Sequence, residues 1–287
     1  MNPTLFGFKL FPLILFLPNM HFWSAGIGKD TMIFFALALF IYCLLDVKRN
    51  IIGLITSFYL AFYIRPHIAL VMIVGAGIAL FISSRGISTF WRVSSIIAAV
   101  VVFYLISGTV FQFVGVQEDS IENYEDVASI RAKNLSRSNV GSAIAMSSYP
   151  VPFRIFTFFY RPLFVDSVNI LGLVVSFENL IYLALTLSVF KGSVLRQFWR
   201  MPIVFKACIF ISLATAYFMS GSLSNLGIII RQKNMVMFMV VLVCMFMMSE
   251  ARYATRSRIV PAKMRQRRPT TLNPNLDHGA SPGAKVS

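Results

Sequence analysis

Ionisable side chains stand at the edges of apolar runs in three well-separated stretches of the sequence. These stretches read "HFWSAGIGKD", "YIRPHIAL" and "NLGIIIRQKN". A fourth stretch, "VPFRIFTFFYRPLF", adds two arginines seven residues apart, which a helix would place on one face. The basic residues of the four stretches are Lys29, Arg65, Arg154, Arg161, Arg231 and Lys233. Arginine donates two parallel hydrogen bonds to phosphate, so the set is a candidate binding site for an anion. The alternative is that each basic side chain only snorkels from an apolar segment into water.

Three further residues have side chains suited to acid–base or electrostatic catalysis: Asp30, His67 and Glu178. Asp30 is placed to cap the helix that follows it, a role compatible with catalysis. Glu178 lies in "NILGLVVSFENLIYLAL", about ten residues into an apolar segment and hence about 15 Å deep. A carboxyl group at that depth is costly, which indicates either a functional group or a buried pair with an arginine.

The segments that must position these residues are strongly apolar. The hydrophobic fraction is 57% and the charged fraction 13%, against roughly half and a quarter in soluble domains. This composition predicts an all-α, polytopic membrane helix bundle with about eight transmembrane segments. We expect the segments at residues 5–20, 31–46, 51–64, 68–82, 94–116, 168–190, 203–219 and 235–249.

Lysine and arginine in short loops predict the orientation of the bundle. The tail of residues 251–287 is rich in arginine, which places it in the cytoplasm as a basic, disordered extension. Counting back through the segments of the transmembrane domain, residues 1–250, puts both termini inside. The formal charge of +15 therefore reports topology, and we expect no nucleic-acid partner.

The outer face then receives the four basic stretches and one long loop, residues 117–167. This loop is too short and too polar to form its own core, and we expect it to be periplasmic. The sequence "VPFRIFTFFYRPLF" at its end predicts a helix lying in the outer interface. The segments on either side of Arg65 span only roughly 21 to 23 Å. Arg65 and His67 would then line a cavity below the surface, unless the stretch is a simple turn at Pro66.

The stretches "LPNMHFWSAGIGKDTMIFFALALFIY", "YIRPHIAL", "FYRPLFVDSVNILGLVVSFENLIYL" and "NLGIIIRQKNMVM" resemble bacterial inner-membrane proteins encoded with polysaccharide-synthesis genes. Those proteins are similar to O-antigen and exopolysaccharide repeat-unit polymerases. The resemblance, over about residues 15 to 245, implies a glycosyltransferase-type enzyme of the bacterial inner membrane. It would join oligosaccharides linked to undecaprenyl diphosphate on the periplasmic face. Its partners would be that lipid-linked donor, membrane lipid, and chain-length regulators or other polysaccharide-assembly proteins.

Two other functions stay open. A type-C membrane glycosyltransferase would use a lipid-phosphate sugar and place an acidic residue such as Asp30 in its first outer loop. A transporter of the lipid-linked sugar should show an internal repeat, and the sequence shows no convincing one. No sequence motif implies a metal, haem or flavin, so we expect no cofactor. Repeat-unit polymerases usually have more helices, and a missing N-terminal portion is one explanation of the weak first segment.

Overall fold

The computed structural model describes residues 3–5, 7–14, 16–26, 28–83, 89–114, 149–166, 170–190, 194–222 and 226–266. Over these residues the chain is all-α apart from one short antiparallel strand pair, β1 (Thr4–Leu5) with β2 (Phe8–Lys9). Helices α1 to α6 are Leu10–Ile14, Pro18–Ala25, Lys29–Cys43, Ile51–Ile64, Pro66–Ile82 and Thr89–Val114. Helices α7 to α11 are Val151–Tyr160, Ile170–Val189, Val194–Arg200, Ile203–Ser222 and Leu226–Gln266.

Three stretches of helix are long and apolar enough to cross a membrane, judged by length and composition. They are Ile170–Val189, Ile203–Gly221 and Leu226–Tyr253, in α8, α10 and α11. Shorter apolar stretches are Ile51–Ile64, Pro66–Ile82 and Arg92–Leu105. The predicted all-helical class is confirmed for the described residues, whereas three possible spans are found there rather than about eight.

The N-terminal part differs from its prediction as one continuous segment over residues 5–20. The strand pair turns at Gly7, whose φ of +88° suits glycine, and α1 follows with only five residues. The predicted first outer loop, "HFWSAGIGKD", is also mostly helical, because α2 extends from Pro18 to Ala25. Proline in the first turn favours that start, since its missing N–H needs no partner there.

Helix α11 is longer at both ends than the predicted segment 235–249. It begins at Leu226 and passes through "RQKN" without a break. The polar side chains do not interrupt it because Lys233 and Asn234 are buried with hydrogen-bond partners. It also continues to Gln266, so the first part of the tail predicted to be disordered is helical. The rest of that tail and residues 117–148 and 167 of the predicted outer loop lie outside the described residues.

Helix α7 agrees with the helix predicted from "VPFRIFTFFYRPLF", and it buries Thr157, Phe158 and Phe159. It ends at Tyr160, and Arg161 has extended backbone beyond its last turn. Arg154 and Arg161 therefore do not share one helical face, contrary to the prediction. Position 162 is a proline, and the residue before a proline is disfavoured in the helical conformation.

Helices α5 and α11 form the centre of the fold. Helix α5 packs against α4, α6 and α10, and α11 packs against α2, α3, α7, α8 and α10. The α5–α10 contact is close at Gly75: a Cβ added there would lie 2.5 Å from Ile211 Cγ1 and 2.7 Å from the Ile211 backbone nitrogen. Small residues allow such close approach of helices in membranes.

Replacing Gly75 by alanine should therefore destabilise the protein, because the nearest backbone atoms have no room to move. We expect Gly75→Ala to lower the free energy of unfolding by about 1–3 kcal/mol. Gly77→Ala is the matched control, since its added Cβ would meet only Ala99 Cβ at 3.7 Å. Thermal unfolding in detergent measures both variants, and equal stability of the two would contradict the close approach.

Candidate functional site

The buried carboxylate of Asp30 lies where three distant parts of the chain meet. Asp30 is in the first turn of α3, but it does not cap that helix as predicted: Gly28 occupies the cap position, and no side chain caps α3. Instead, each carboxylate oxygen accepts a hydrogen bond from a different arginine. The predicted cap failed because these arginines, 35 and 201 residues away in sequence, take the carboxylate.

Arg65 occupies the break between α4 and α5. Its backbone is not helical, with φ −149° and ψ 87°, and the helical conformation is disfavoured for the residue before a proline. Its Nη2 lies 2.5 Å from Asp30 Oδ1, and its Nη1 donates to the side chain of Gln232. The side chain of Arg65 is only 13% exposed, so this arginine points into the protein.

Arg231 lies on α11, not in a loop as predicted, and binds the other oxygen of Asp30 through its Nε. Its guanidinium carbon lies 5.5 Å from the centre of the Trp23 ring, a cation–π distance. The side chain of Arg231 remains 46% exposed. Two guanidinium groups around one carboxylate leave a net charge of about +1, and the exposed arginine presents it to the outside.

Trp23 connects this cluster to a second buried polar group. Its Nε1 donates to Asn19 Oδ1 at 3.0 Å, and Asn19 Nδ2 donates to Asn234 Oδ1 at 3.1 Å. Asn234 Nδ2 returns a hydrogen bond to the Asn19 carbonyl at 3.0 Å. The backbone N–H of Asn19 donates to Glu178 Oε2 at 2.7 Å. A continuous chain of contacts therefore runs from Asp30 to Glu178.

Glu178 is buried, with only 1% of its surface exposed. Its second carboxylate oxygen accepts a hydrogen bond from the Tyr182 hydroxyl at 2.6 Å. The sequence predicted either a functional group here or a buried pair with an arginine, and the structure shows that the carboxylate is buried. The hydrogen-bond donors to the carboxylate are a backbone amide and a tyrosine hydroxyl rather than an arginine, so the carboxylate is held by neutral donors.

Lys233 is fully buried, and three oxygen atoms surround its ammonium group. It donates to the side chain of Asn179 and to the carbonyls of Arg161, at 3.2 Å, and Phe159, at 3.5 Å. Asn179 in turn donates to the Pro162 carbonyl at 2.7 Å. This arrangement ties the end of α7 to α8 and α11, and it uses the donors that a bound anion would need.

The remaining predicted site residues are Arg161, Arg154, Lys29 and His67. Arg161 forms a two-pronged ion pair with Asp166, with N–O distances of 2.9 and 2.5 Å. Arg154 Nε donates to the Tyr149 carbonyl at 2.7 Å. Lys29 is exposed at the start of α3, and His67 is partly buried in the first turn of α5. The structure thus brings Arg65 and Arg231 to one carboxylate, while Arg154 and Arg161 have partners of their own.

The Arg161–Asp166 pair lies outside the possible membrane spans. The hydrogen bond from Arg161 holds the pKa of the Asp166 carboxyl below its usual value, against a smaller opposite effect of burial. The Leu163 backbone N–H also donates to this carboxylate, at 3.0 Å. The pair therefore fixes the turn that follows α7.

A small cavity lies beside Arg231, lined by Met20, Trp23, Asp30, Phe34, Arg231, Asn234 and Met235. Its volume of about 10 Å³ is room for about one water molecule. A larger cleft of about 460 Å³ is almost entirely apolar and is lined by residues of α3 to α6 and α10, among them Leu44 and Ala207. The cavity beside Arg231 is therefore too small for a phosphate group, and the open side of this arginine is the one that faces outward.

Sequence reasoning missed several residues of the site. They are Asn19, Asp166, Asn179, Tyr182 and Asn234, together with the contact of Trp23 with Arg231. The available signal was the presence of polar amides beside charged residues, in "FEN" and "RQKN". A buried amide must find partners, but the sequence does not show which ones.

Comparison with known proteins adds no relative: no family model, curated protein or solved structure matches the chain significantly. Among the described residues, no group of three or more histidine, cysteine, aspartate or glutamate side chains is arranged to hold a metal ion. Over the described residues, the fold and site define an all-α chain with three helices long and apolar enough to cross a membrane and with a buried carboxylate shared by two arginines.

A double-mutant cycle tests the Asp30–Arg65 pair. Asp30→Asn should lower the free energy of unfolding by about 3–5 kcal/mol, because it leaves the buried Arg65 without its carboxylate. Arg65→Gln should lower it by less, because Asp30 keeps its ion pair with Arg231. The double variant should lose less than the sum of the two. Lys29→Gln, at the neighbouring exposed position, should change stability by no more than about 0.5 kcal/mol. Strictly additive losses in denaturant unfolding would show that the two side chains are not coupled.

The Arg161–Asp166 pair should make stability depend on pH. Because the folded pKa of Asp166 is lowered, the pair stabilises the protein fully above the usual carboxyl pKa of about 3.9 and less as pH falls through the lowered value. The stability difference between wild type and Asp166→Asn should be constant from about pH 8 to about pH 5 and shrink below about pH 4. A difference that persists unchanged at about pH 3 would rule out the ionised pair as its source.

Proposed function

We propose that this protein is an integral membrane enzyme that polymerises oligosaccharide repeat units linked to undecaprenyl diphosphate on the periplasmic face of the bacterial inner membrane. The observation that carries the proposal is the meeting of Arg65 and Arg231 at Asp30. The two arginines come from distant parts of the chain, since Arg65 is 35 positions and Arg231 is 201 positions from Asp30. Both belong to the set that the sequence assigns to anion binding.

In this proposal Arg231 contacts the diphosphate directly, because it is the exposed member of the pair. Arg65 adds positive charge from behind. Asp30 orients both guanidinium groups, and it is a poor candidate for a general base because each of its carboxylate oxygens already accepts a hydrogen bond from an arginine. Asp30 therefore positions the anion site, a narrower role than the catalytic one expected from the sequence.

The reaction transfers a glycosyl group. A hydroxyl of the acceptor oligosaccharide attacks the anomeric carbon of the donor, and the bond from that carbon to the diphosphate oxygen breaks. Undecaprenyl diphosphate leaves with the electron pair, and its developing charge is stabilised by fixed cations. His67, in the first turn of α5 next to Arg65, is our candidate to accept the hydroxyl proton.

The membrane arrangement completes the proposal. About eight spans would carry the chain across the inner membrane, with both termini in the cytoplasm and the Asp30 site on the outer side. The donor would approach from the surrounding lipid, and chain-length regulators or other assembly proteins would be its partners. The described helices support this arrangement through the three that are long and apolar enough to cross.

The test is glycan polymerisation by purified protein supplied with a lipid-linked repeat unit. Arg65→Ala and Arg231→Ala should each slow polymer formation by roughly 30- to 1,000-fold, the cost of losing one charged contact in the transition state. Arg231→Lys should also be impaired, because lysine keeps the charge but loses the planar fork.

Arg252→Ala is the matched control for Arg231→Ala. Arg252 lies on the same helix and donates to Thr4 near the other end of the fold, so full activity is expected. Addition of a single sugar by the wild type would instead support a type-C glycosyltransferase. Movement of the lipid-linked unit without any glycosyl transfer would support a transporter. Normal polymer formation by both alanine variants would contradict the proposed role of the arginines.

A further inference from the structure

We infer that Asn19 is a positioning residue that holds Arg231 in place for its anion, acting through the indole ring of Trp23. The inference rests on the proposed function, in which Arg231 binds the diphosphate. Asn19 acts on Arg231 indirectly, through the Trp23 ring that lies between them. Its role would be to reduce the freedom of the guanidinium before the anion arrives.

Two neighbouring side chains constrain Arg231. A half-exposed arginine normally samples many side-chain conformations, and ordering it on binding costs free energy. Here one edge of the guanidinium is held by Asp30 and its plane lies near the Trp23 ring, 5.5 Å from the ring centre. The ring therefore provides the second of two constraints on a group that is otherwise open to the outside.

A hydrogen bond to Asn19 orients the Trp23 ring. An indole has a single hydrogen-bond donor, its N–H, and in Trp23 that donor is used by Asn19 at 3.0 Å. The two residues are four positions apart on α2 and so lie one above the other on the same helical face. If the bond to Asn19 were lost, the ring could turn, and Arg231 would lose a fixed surface.

Asn19 is itself hydrogen-bonded to residues of two other helices. Glu178 on α8 accepts its backbone N–H at 2.7 Å, and Asn234 on α11 exchanges two hydrogen bonds with it. Asn234 and Arg231 are three positions apart on α11, so both face α2. Asn19–Asn234 and Trp23–Arg231 therefore form two adjacent cross-links between α2 and α11.

The geometry gives Glu178 a role as well. Its buried carboxylate receives the Asn19 backbone amide at one oxygen and the Tyr182 hydroxyl at the other. Through these bonds it fixes where α2 lies against α8. In this arrangement Glu178 supports the anion site from a distance without taking part in the reaction.

The experiment uses two measurements on the full chain in detergent, with inorganic pyrophosphate as the probe. The first is the fluorescence of Trp23 in a Trp91→Phe/Trp199→Phe background, which leaves one tryptophan. Asn19→Leu and Arg231→Ala should each shift the emission of this residue and increase its quenching by iodide. The second is pyrophosphate affinity, measured by calorimetry. Asn19→Leu should weaken it by about fivefold to tenfold, the range of one cation–π contact.

Conservative variants separate positioning from a merely structural role. Trp23→Phe keeps an aromatic face for Arg231 and should retain more pyrophosphate affinity than Trp23→Leu. Thr157→Val is the control for replacing a buried polar residue, because Thr157 Oγ1 has no hydrogen-bond partner in the described part of the structure. It should leave both measurements unchanged.

The outcomes distinguish this inference from the function on which it rests. Weaker binding and a shifted spectrum in Asn19→Leu, with Thr157→Val unchanged, support the inference. If Asn19→Leu lowers only thermal stability and the folded protein binds pyrophosphate as the wild type does, Asn19 is structural and the inference fails. If wild type shows no binding that depends on Arg231, the proposed anion site fails, and with it the positioning role, whatever the spectra show.

Discussion

The ionic contact of one buried carboxylate with two arginines is the constraint on which the rest of the site depends. Asp30 is 6% exposed, and an unpaired charge at such a position would be very costly. Its partners come from the α4–α5 break and from α11. The contact therefore fixes how α3, α5 and α11 meet, and the helix break at Arg65 places this arginine at the carboxylate.

The same requirement for partners explains the neighbouring amides. A buried polar group without a partner costs free energy, yet α2, α8 and α11 place Asn19, Asn179 and Asn234 inside an apolar bundle. Each amide forms a hydrogen bond with another polar group: Asn19 and Asn234 bond to each other, and Asn179 accepts from Lys233. These pairs satisfy the polar residues that would otherwise break α11, so the long helix and the site depend on one network.

The sequence predicts those features that depend on local chemistry. Apolar runs and Pro66 predict the helix Ile51–Ile64 and the break at Arg65, and both are present. It does not predict which distant groups meet. Asp30 resembles a helix cap because its local sequence fits one, and only the approach of Arg65 and Arg231 decides otherwise. Hydropathy likewise placed the start of α11 too late, since it treats Lys233 as a solvated charge although the residue is fully buried inside the helix.

The balance of charge differs between the polar clusters around Glu178, Asp166 and Asp30. Around Glu178 the hydrogen-bond donors are neutral and buried, and in the turn after α7 Arg161 is matched by Asp166. Around Asp30, in contrast, two cations share one anion, and the surplus is presented by Arg231, the more exposed of the two. A structural ion pair is usually balanced, because unpaired charge is costly. An unbalanced cluster facing outward is better explained as a site that an incoming anion completes, and the buried amides behind it are the scaffold that keeps it in place.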